Sequence, residues 1–282
     1  MVERIFTKIP KIAKILPSKE GWIYLPAMPS GKKKKMRADE LLVERGLACS
    51  RSEAKSLLLA GKVHSPTDRI DKAGKEIPID TPLTVERPPR FVSRGGEKLE
   101  GILEKLNLNL DLDRALDVGA STGGFTDCLL QHGVKHMVCL DVGRNQLHHK
   151  IRSDARVTNI EQYNARNLEA GDLPYSDYPL IVIDVSFISL RLILPPVWKV
   201  LAEEGHLVCL VKPQFEADKK TMDQCRGVIK DPALSQSIAT EIKEFALDSL
   251  ENCKLIDFQP SVIQGTDGNQ EFLLAICKST IS

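Results

Sequence analysis

Residues 115–125 read Ala115-Leu116-Asp117-Val118-Gly119-Ala120-Ser121-Thr122-Gly123-Gly124-Phe125. An apolar run with one acid leads into three glycines and then a run with helical character, so the stretch predicts a strand, a glycine turn and a helix. Glycine allows positive φ and lets a ligand approach the backbone closely, and a helix N-terminus offers free N–H groups. Asp141 ends the next apolar run, 22 positions past Gly119. An acid there is placed to accept hydrogen bonds from ribose hydroxyls. The turn, with Asp117, Gly119, Ser121, Gly123, Gly124 and Phe125 as candidate contacts, and Asp141 together read as a nucleoside pocket.

Two familiar nucleotide motifs are missing. The G-x-G-x-x-G dinucleotide fingerprint and the G-x-x-x-x-G-K-[ST] phosphate loop do not occur, which weakens nicotinamide and P-loop readings. Gly119 to Gly123 does fit the G-x-S-x-G nucleophile elbow. A hydrolase of that kind also needs an acid and then a histidine downstream, and the only histidine after His149 is His206, near a strand start. The elbow match is read as accidental.

Outward from the turn, strands are predicted at 114–118, 136–141, 157–160, 180–184, 205–211, 254–260 and 271–277. Helices are predicted near 97–106 and at 124–131, 147–152, 188–200 and 233–248. Strands separated by helices imply right-handed crossovers and a mostly parallel sheet covered on both faces, an α/β fold. Before it, residues 37–87 read as a small α+β domain. Leu41, Leu42 and Leu47 mark a short helix ending at Gly46; Ser50 and Glu53 form a capping box for a second helix that stops at Gly61. Segments 75–79 and 83–87 read as strands. Pro88-Pro89 opens a stiff linker, 88–92, and the larger domain is taken as 93–282.

The chain has 282 residues, 42% hydrophobic and 27% charged, a globular composition. No apolar stretch approaches the roughly 18 residues of a membrane span. Seven cysteines without a C-x-x-C pair read as reduced thiols, several of them in core strands, and point to a cytoplasmic compartment. The net charge of +1 conceals an asymmetry: residues 1–100 carry 21 Lys and Arg against 13 Asp and Glu, whereas residues 101–282 carry 18 against 25. A polyanion would dock on the positive end. Residues 1–36 hold nine Lys or Arg, including the run 32–35, and two acids. They read as a solvated basic tail; organelle targeting is the alternative, poorly matched because Arg4 is the only Arg and Glu3 is present.

Five motifs in order carry a family resemblance: Ser93-Arg94-Gly95-Gly96-Glu97-Lys98-Leu99, the 117–127 turn, Asp184-Val185-Ser186-Phe187-Ile188-Ser189-Leu190, Val211-Lys212-Pro213-Gln214-Phe215-Glu216 and Gly268-Asn269-Gln270-Glu271-Phe272-Leu273. From about Arg37 to Cys277 the chain closely resembles the TlyA hemolysin-like family. That family joins an S-four-type RNA-binding domain to an FtsJ-like, Rossmann-like methyltransferase domain that uses S-adenosylmethionine. The resemblance implies ribose 2′-O-methylation of RNA, with ribosomal RNA within a ribosomal subunit as the expected substrate. It also implies a Lys-Asp-Lys-Glu tetrad at Lys98, Asp184, Lys212 and Glu271. Asp184 and Lys212 additionally end predicted parallel strands, where open α/β sheets place their ligands.

These residue types suit the chemistry. A ribose hydroxyl is a poor nucleophile, so its attack on a sulfonium methyl needs in-line positioning and stabilisation of the developing alkoxide. Lys212 fits either as proton acceptor or as electrostatic stabiliser, with the two carboxylates orienting the lysine amines. Methyl transfer requires no metal, and the adjacent His148 and His149 do not form a ligand cluster. Arg37, Arg45, Arg51, Lys55 and Lys62 resemble the basic face with which the S-four-type domain grips RNA phosphates. Two competing readings are a membrane-active hemolysin, for which no span or long amphipathic helix argues, and an RNA-binding assembly protein without methyl transfer.

Overall fold

The computed structural model describes residues 34–86, 89–265 and 267–280, so most of the basic segment, Arg87 at the end of the expected small domain and Pro88 of the expected linker lie outside the described residues. The chain divides into two compact units between Pro89 and Arg90.

In the smaller unit β1 (Lys35–Arg37), α1 (Ala38–Glu44), α2 (Arg51–Leu59), β2 (Val63–His64), β3 (Glu76–Pro78) and β4 (Thr84–Val85) follow one another. β1 pairs antiparallel with β3, and β2 with β4. The helices pack through Leu42, Ala54 and Leu58, all fully buried with Val63 and Leu83. Ser50 Oγ accepts the Glu53 N–H at 3.2 Å, and the Glu53 carboxylate reaches back to the Cys49 N–H at 2.6 Å, one residue before the usual reciprocal partner. Two boundaries differ from the sequence expectation. Its first described strand, β1, starts at Lys35, inside the stretch read as tail. β3 and β4 are shorter than the segments 75–79 and 83–87 read from the sequence, and Arg87 of the second lies outside the described residues.

The larger unit opens with α3 (Arg94–Leu106), β5 (Ala115–Val118), α4 (Gly124–Gln131), β6 (Met137–Leu140), α5 (His149–Arg152), β7 (Val157–Ile160), β8 (Tyr178–Ile183) and α6 (Leu190–Trp198). It continues with β9 (Leu201–Val211), α7 (Pro213–Glu216), α8 (Lys219–Cys225), α9 (Pro232–Ser249), β10 (Cys253–Pro260) and β11 (Phe272–Lys278). The seven strands lie in the order β10-β11-β9-β8-β5-β6-β7. Six run in one direction, five of them paired as parallel neighbours, and β11 runs antiparallel between β9 and β10. This is the Rossmann-like methyltransferase architecture. Period-two alternation sends Leu116, Val118, Ile181 and Ile183 to one face, against α6 and α9, and Ala115, Leu180 and Val182 to the other, against α3 and α4.

Three details correct the sequence reading. β9 starts at Leu201 rather than 205, and Glu204 takes positive φ (57°) within the continuing strand. The linker ends early: Phe91 is buried in the larger core, and the Val92 N–H donates to Asp127 at 2.8 Å. All seven cysteines are free thiols, with Cys128, Cys139 and Cys209 buried but Cys49 exposed.

Candidate active site

The parallel strands β5, β8 and β9 end side by side, and each delivers part of one cavity of about 360 Å³. At the end of β5 the chain turns through Gly119 (φ 81°), Ser121 (φ 47°) and Gly123 (φ 90°) before α4 begins. Glycine is required at 119: a Cβ there would lie 2.5 Å from the Asp184 carbonyl oxygen. Asp141 shapes this turn, accepting the Ser121 N–H at 2.8 Å on one oxygen and the Gly143 N–H at 2.7 Å on the other. Of the sequence-predicted cofactor contacts, Asp117, Gly119, Ser121, Gly124 and Phe125 line the cavity. Gly123 and Asp141 are not among its lining residues, and Asp141 holds the turn through the two bonds just given.

Asp117 is fully buried. One oxygen accepts the Thr126 N–H (3.0 Å) and hydroxyl (2.6 Å), and the other has no hydrogen-bond partner. Burial pushes its carboxyl up to about 7.

The four tetrad residues come together as two ion pairs. Lys212, directly after β9, puts its Nζ 2.6 Å from Asp184 Oδ1 and donates to Ser186 Oγ at 2.9 Å. Lys98, on the second turn of α3, donates to Glu271 Oε2 at 2.5 Å. Lys98, Lys212 and Glu271 are all at most 9% exposed, so their charges are held in one low-dielectric wall. The same wall contains Ser186, Phe187, Gln214 and Phe215, none of which the sequence reading assigned a role. Their neighbours Asp184 and Lys212 were the available signal.

The predicted RNA face of the smaller unit is less uniform. Arg45 turns inward: its guanidinium donates to the backbone oxygens of Thr81, at 2.6 Å, and Ile79. Arg37 and Arg51 share the buried Asp39, whose carboxyl the Arg37 guanidinium holds down at about 2. Lys55 is exposed and Lys62 half-buried. Among the described residues no group of three His, Cys, Asp or Glu could hold a metal ion, and no helix is long and apolar enough to cross a membrane.

A paired Lys-Asp and Lys-Glu beside a strand–glycine turn–helix is the arrangement expected of FtsJ-like enzymes, and the profile described as FtsJ-like methyltransferase matches residues 91–278. The chain belongs to this family. YqxC of Bacillus subtilis, named as an rRNA methyltransferase, is 45% identical over 242 residues, 86% of this chain and 85% of its own length. The 16S/23S rRNA (cytidine-2′-O)-methyltransferase TlyA of Mycobacterium tuberculosis is 38% identical over 247 residues, covering 86% of this chain and 89% of that one. A solved structure of a hemolysin-named protein from Streptococcus thermophilus, 41% identical, superposes with a TM-score of 0.64 over 88% of this chain and 90% of its own.

The FtsJ-like domain uses S-adenosylmethionine, and the residues present fit it. Gly119 leaves a backbone cradle that a side chain would fill, and the unpartnered oxygen of Asp117 offers a buried acceptor to a cationic ligand.

Proposed function

We propose that this protein transfers a methyl group from S-adenosylmethionine to the 2′-hydroxyl of a cytidine in ribosomal RNA, presented within a ribosomal subunit. The observation that carries the reading is the convergence of Lys212–Asp184 and Lys98–Glu271 on the cavity that also holds the glycine turn. Similarity over 86% of this chain to a cytidine-2′-O-methyltransferase supports the substrate.

The chain's own groups divide the work. Asp117 and the turn from Gly119 to Gly124 hold the cofactor, which supplies an electrophilic methyl on a sulfonium. Asp184 and the Ser186 hydroxyl fix the Lys212 amine, which as a neutral amine accepts the 2′-hydroxyl proton or as an ammonium stabilises the negative charge that builds on that oxygen as the proton leaves to water. Lys98, held by Glu271, adds a second positive centre in a wall shielded from water, where its field is strongest. Every one of these groups is preorganised by contacts present before substrate arrives, which is what positional catalysis requires. The smaller unit and the +7 segment of residues 1–36 supply phosphate attraction, and the protein works in the cytoplasm, or in an organelle if that segment directs it there.

The test is direct. Purified protein, labelled S-adenosylmethionine and ribosomal subunits lacking the modification are mixed, and 2′-O-methyls are mapped by position. Label appearing on a cytidine ribose supports the reading; label on a base, or none on RNA with either subunit, overturns it.

A further inference from the structure

Besides the Asp117 oxygen assigned to the cofactor, the cavity wall contains a polar atom that the two lysine–carboxylate pairs do not explain. Gln214 Oε1 is buried and has no hydrogen-bond partner. Leaving an amide oxygen desolvated and unpaired is unfavourable, so a native protein that keeps one in a ligand cavity holds it for a donor that arrives with the ligand.

Its position separates the two ligands. The cofactor turn follows β5, whereas Gln214 follows β9, two strands away across β8. Neighbouring strands are about 4.8 Å apart, so the two ends are separated by roughly 10 Å, about the width of a nucleoside. Gln214 therefore lies on the side of Lys212, only two residues along the chain. In a nucleotide whose 2′-hydroxyl meets Lys212, the base hangs from C1′, the carbon next to C2′, so the base must occupy the wall beside that lysine.

The segment carrying Gln214 is held in place. The Phe215 N–H donates to the Lys212 oxygen at 2.9 Å, closing the turn. Glu216 accepts the Ser189 hydroxyl at 2.5 Å and the Leu190 N–H at 2.8 Å, tying α7 to the start of α6. Next to it Phe215 and Phe187 meet with ring centroids 4.9 Å apart, and Phe187 is 89% exposed. An amide on a backbone held in this way, flanked by aromatic surface, is the equipment for reading an unstacked base.

Resting on the ribose-methylation reading above, we propose that Gln214 is the base-reading residue of the site: its Oε1 accepts a hydrogen from the N4 amino group of the target cytosine. With Oε1 presented to the base, uracil offers a carbonyl oxygen at the corresponding position, an acceptor against an acceptor, and pairing with it requires the amide to turn over.

The experiment crosses residue with base. Wild type, Gln214→Ala and Gln214→Glu are assayed by single-turnover methylation on reconstituted ribosomal subunits carrying either cytidine or uridine at the position that wild type methylates. Wild type should prefer cytidine by roughly tenfold or more, the scale set by leaving a buried polar group unpaired, and Gln214→Ala should collapse that ratio towards one with cofactor affinity unchanged. Gln214→Glu has a side chain of nearly the same volume, keeps an acceptor and loses the amide donors; it should retain the cytidine preference, and it carries the test if the alanine variant does not fold. A ratio unchanged in Gln214→Ala, a preference lost in Gln214→Glu, or a fall in cofactor affinity that places the amide at the other end of the cavity each overturns the assignment. Absence of any ribose methylation by wild type defeats the underlying reading and the assignment with it, whereas ribose methylation with no base preference defeats the assignment alone.

Discussion

Lys98 and Glu271 stand 173 residues apart in the chain and meet at 2.5 Å inside the cavity wall, each almost fully buried. Two buried charges tolerate one another only as a pair. Removing one partner leaves the other uncompensated, which typically costs about 3–5 kcal/mol, whereas replacing both by apolar groups of similar volume is often neutral or better. Glu271→Leu alone should therefore lower stability by about 3 kcal/mol in urea unfolding, and Lys98→Met with Glu271→Leu should recover most of it. Methyl transfer should fall in single and double variants alike. If the double variant were no more stable than the single ones, the pair would not be the unit that stabilises this wall.

Lys212 makes the complementary case, because its partners are fixed while its amine faces the cavity. Lys212→Ala should slow single-turnover methyl transfer by roughly two to four decades, the usual range for an acid–base group. Cofactor affinity should stay near wild type, since the glycine turn and Asp117 lie on another strand end. A near wild-type single-turnover rate would move the chemical role to a different residue.

What the sequence revealed, and what it hid, follows from range. The β5–turn–α4 unit is local, so the spacing of Asp117, Gly119, Gly123 and Gly124 was enough to place it. Asp184 and Lys212 stood at the ends of apolar runs and could be placed by the rule that parallel strands offer ligands their C-terminal ends. Lys98 and Glu271 had no such signal. They converge because β11 inserts antiparallel between β9 and β10, a pairing between distant segments that no local pattern records, and only the family resemblance pointed to them. Arg45 illustrates the opposite error. In sequence it belongs to a row of exposed basic residues, yet its guanidinium is drawn inward by two backbone carbonyls, acceptors that every residue owns and that therefore leave no trace in the text. Gln214 escaped notice for a similar reason: only burial without a partner distinguishes it from any surface amide.

Asp117 gives a pH dependence with a definite sign. Its carboxyl is raised from the ordinary 3.8 to about 7 by burial, so between these values the folded protein holds a proton that the unfolded chain has released. Its contribution to stability is therefore fully present below about pH 4 and is lost as pH rises to about 7. Cofactor binding should run the other way, because a cation at the unpartnered oxygen favours the ionised acid. Calorimetric titration should show S-adenosylmethionine affinity rising roughly tenfold between pH 6 and pH 8, the change in the ionised fraction of a group titrating near 7. Asp117→Asn should bind more weakly with a flat profile over that range; a variant that kept the wild-type slope would assign the titration to another group.

The last prediction separates the basic residues of the smaller unit by what they touch. Arg45 is half-buried with its guanidinium donating to the Thr81 and Ile79 oxygens, so Arg45→Ala should act on stability. Two carbonyls would lose a charged donor, a loss of about 1–3 kcal/mol that lowers the unfolding midpoint of this unit. Its effect on RNA binding should appear only as far as the unit unfolds. Lys55 is exposed, so Lys55→Ala should leave stability within about half a kcal/mol. If Lys55 meets a phosphate, the variant should weaken binding across RNA sequences alike and reduce the slope of log affinity against log salt by about 0.7 to 0.9 for the lost contact. Arg51 lies between these cases: its guanidinium sits 3.2 Å from Asp39 and 3.3 Å from Glu40, acids that cancel part of its field, so the slope change on its removal should be smaller than for Lys55. Measuring RNA affinity at three or more salt concentrations for the three variants, beside their unfolding curves, orders them. A salt slope that Lys55→Ala leaves unchanged while Arg45→Ala lowers it with no loss of stability would reverse the assignment and place the RNA against the other face of α1.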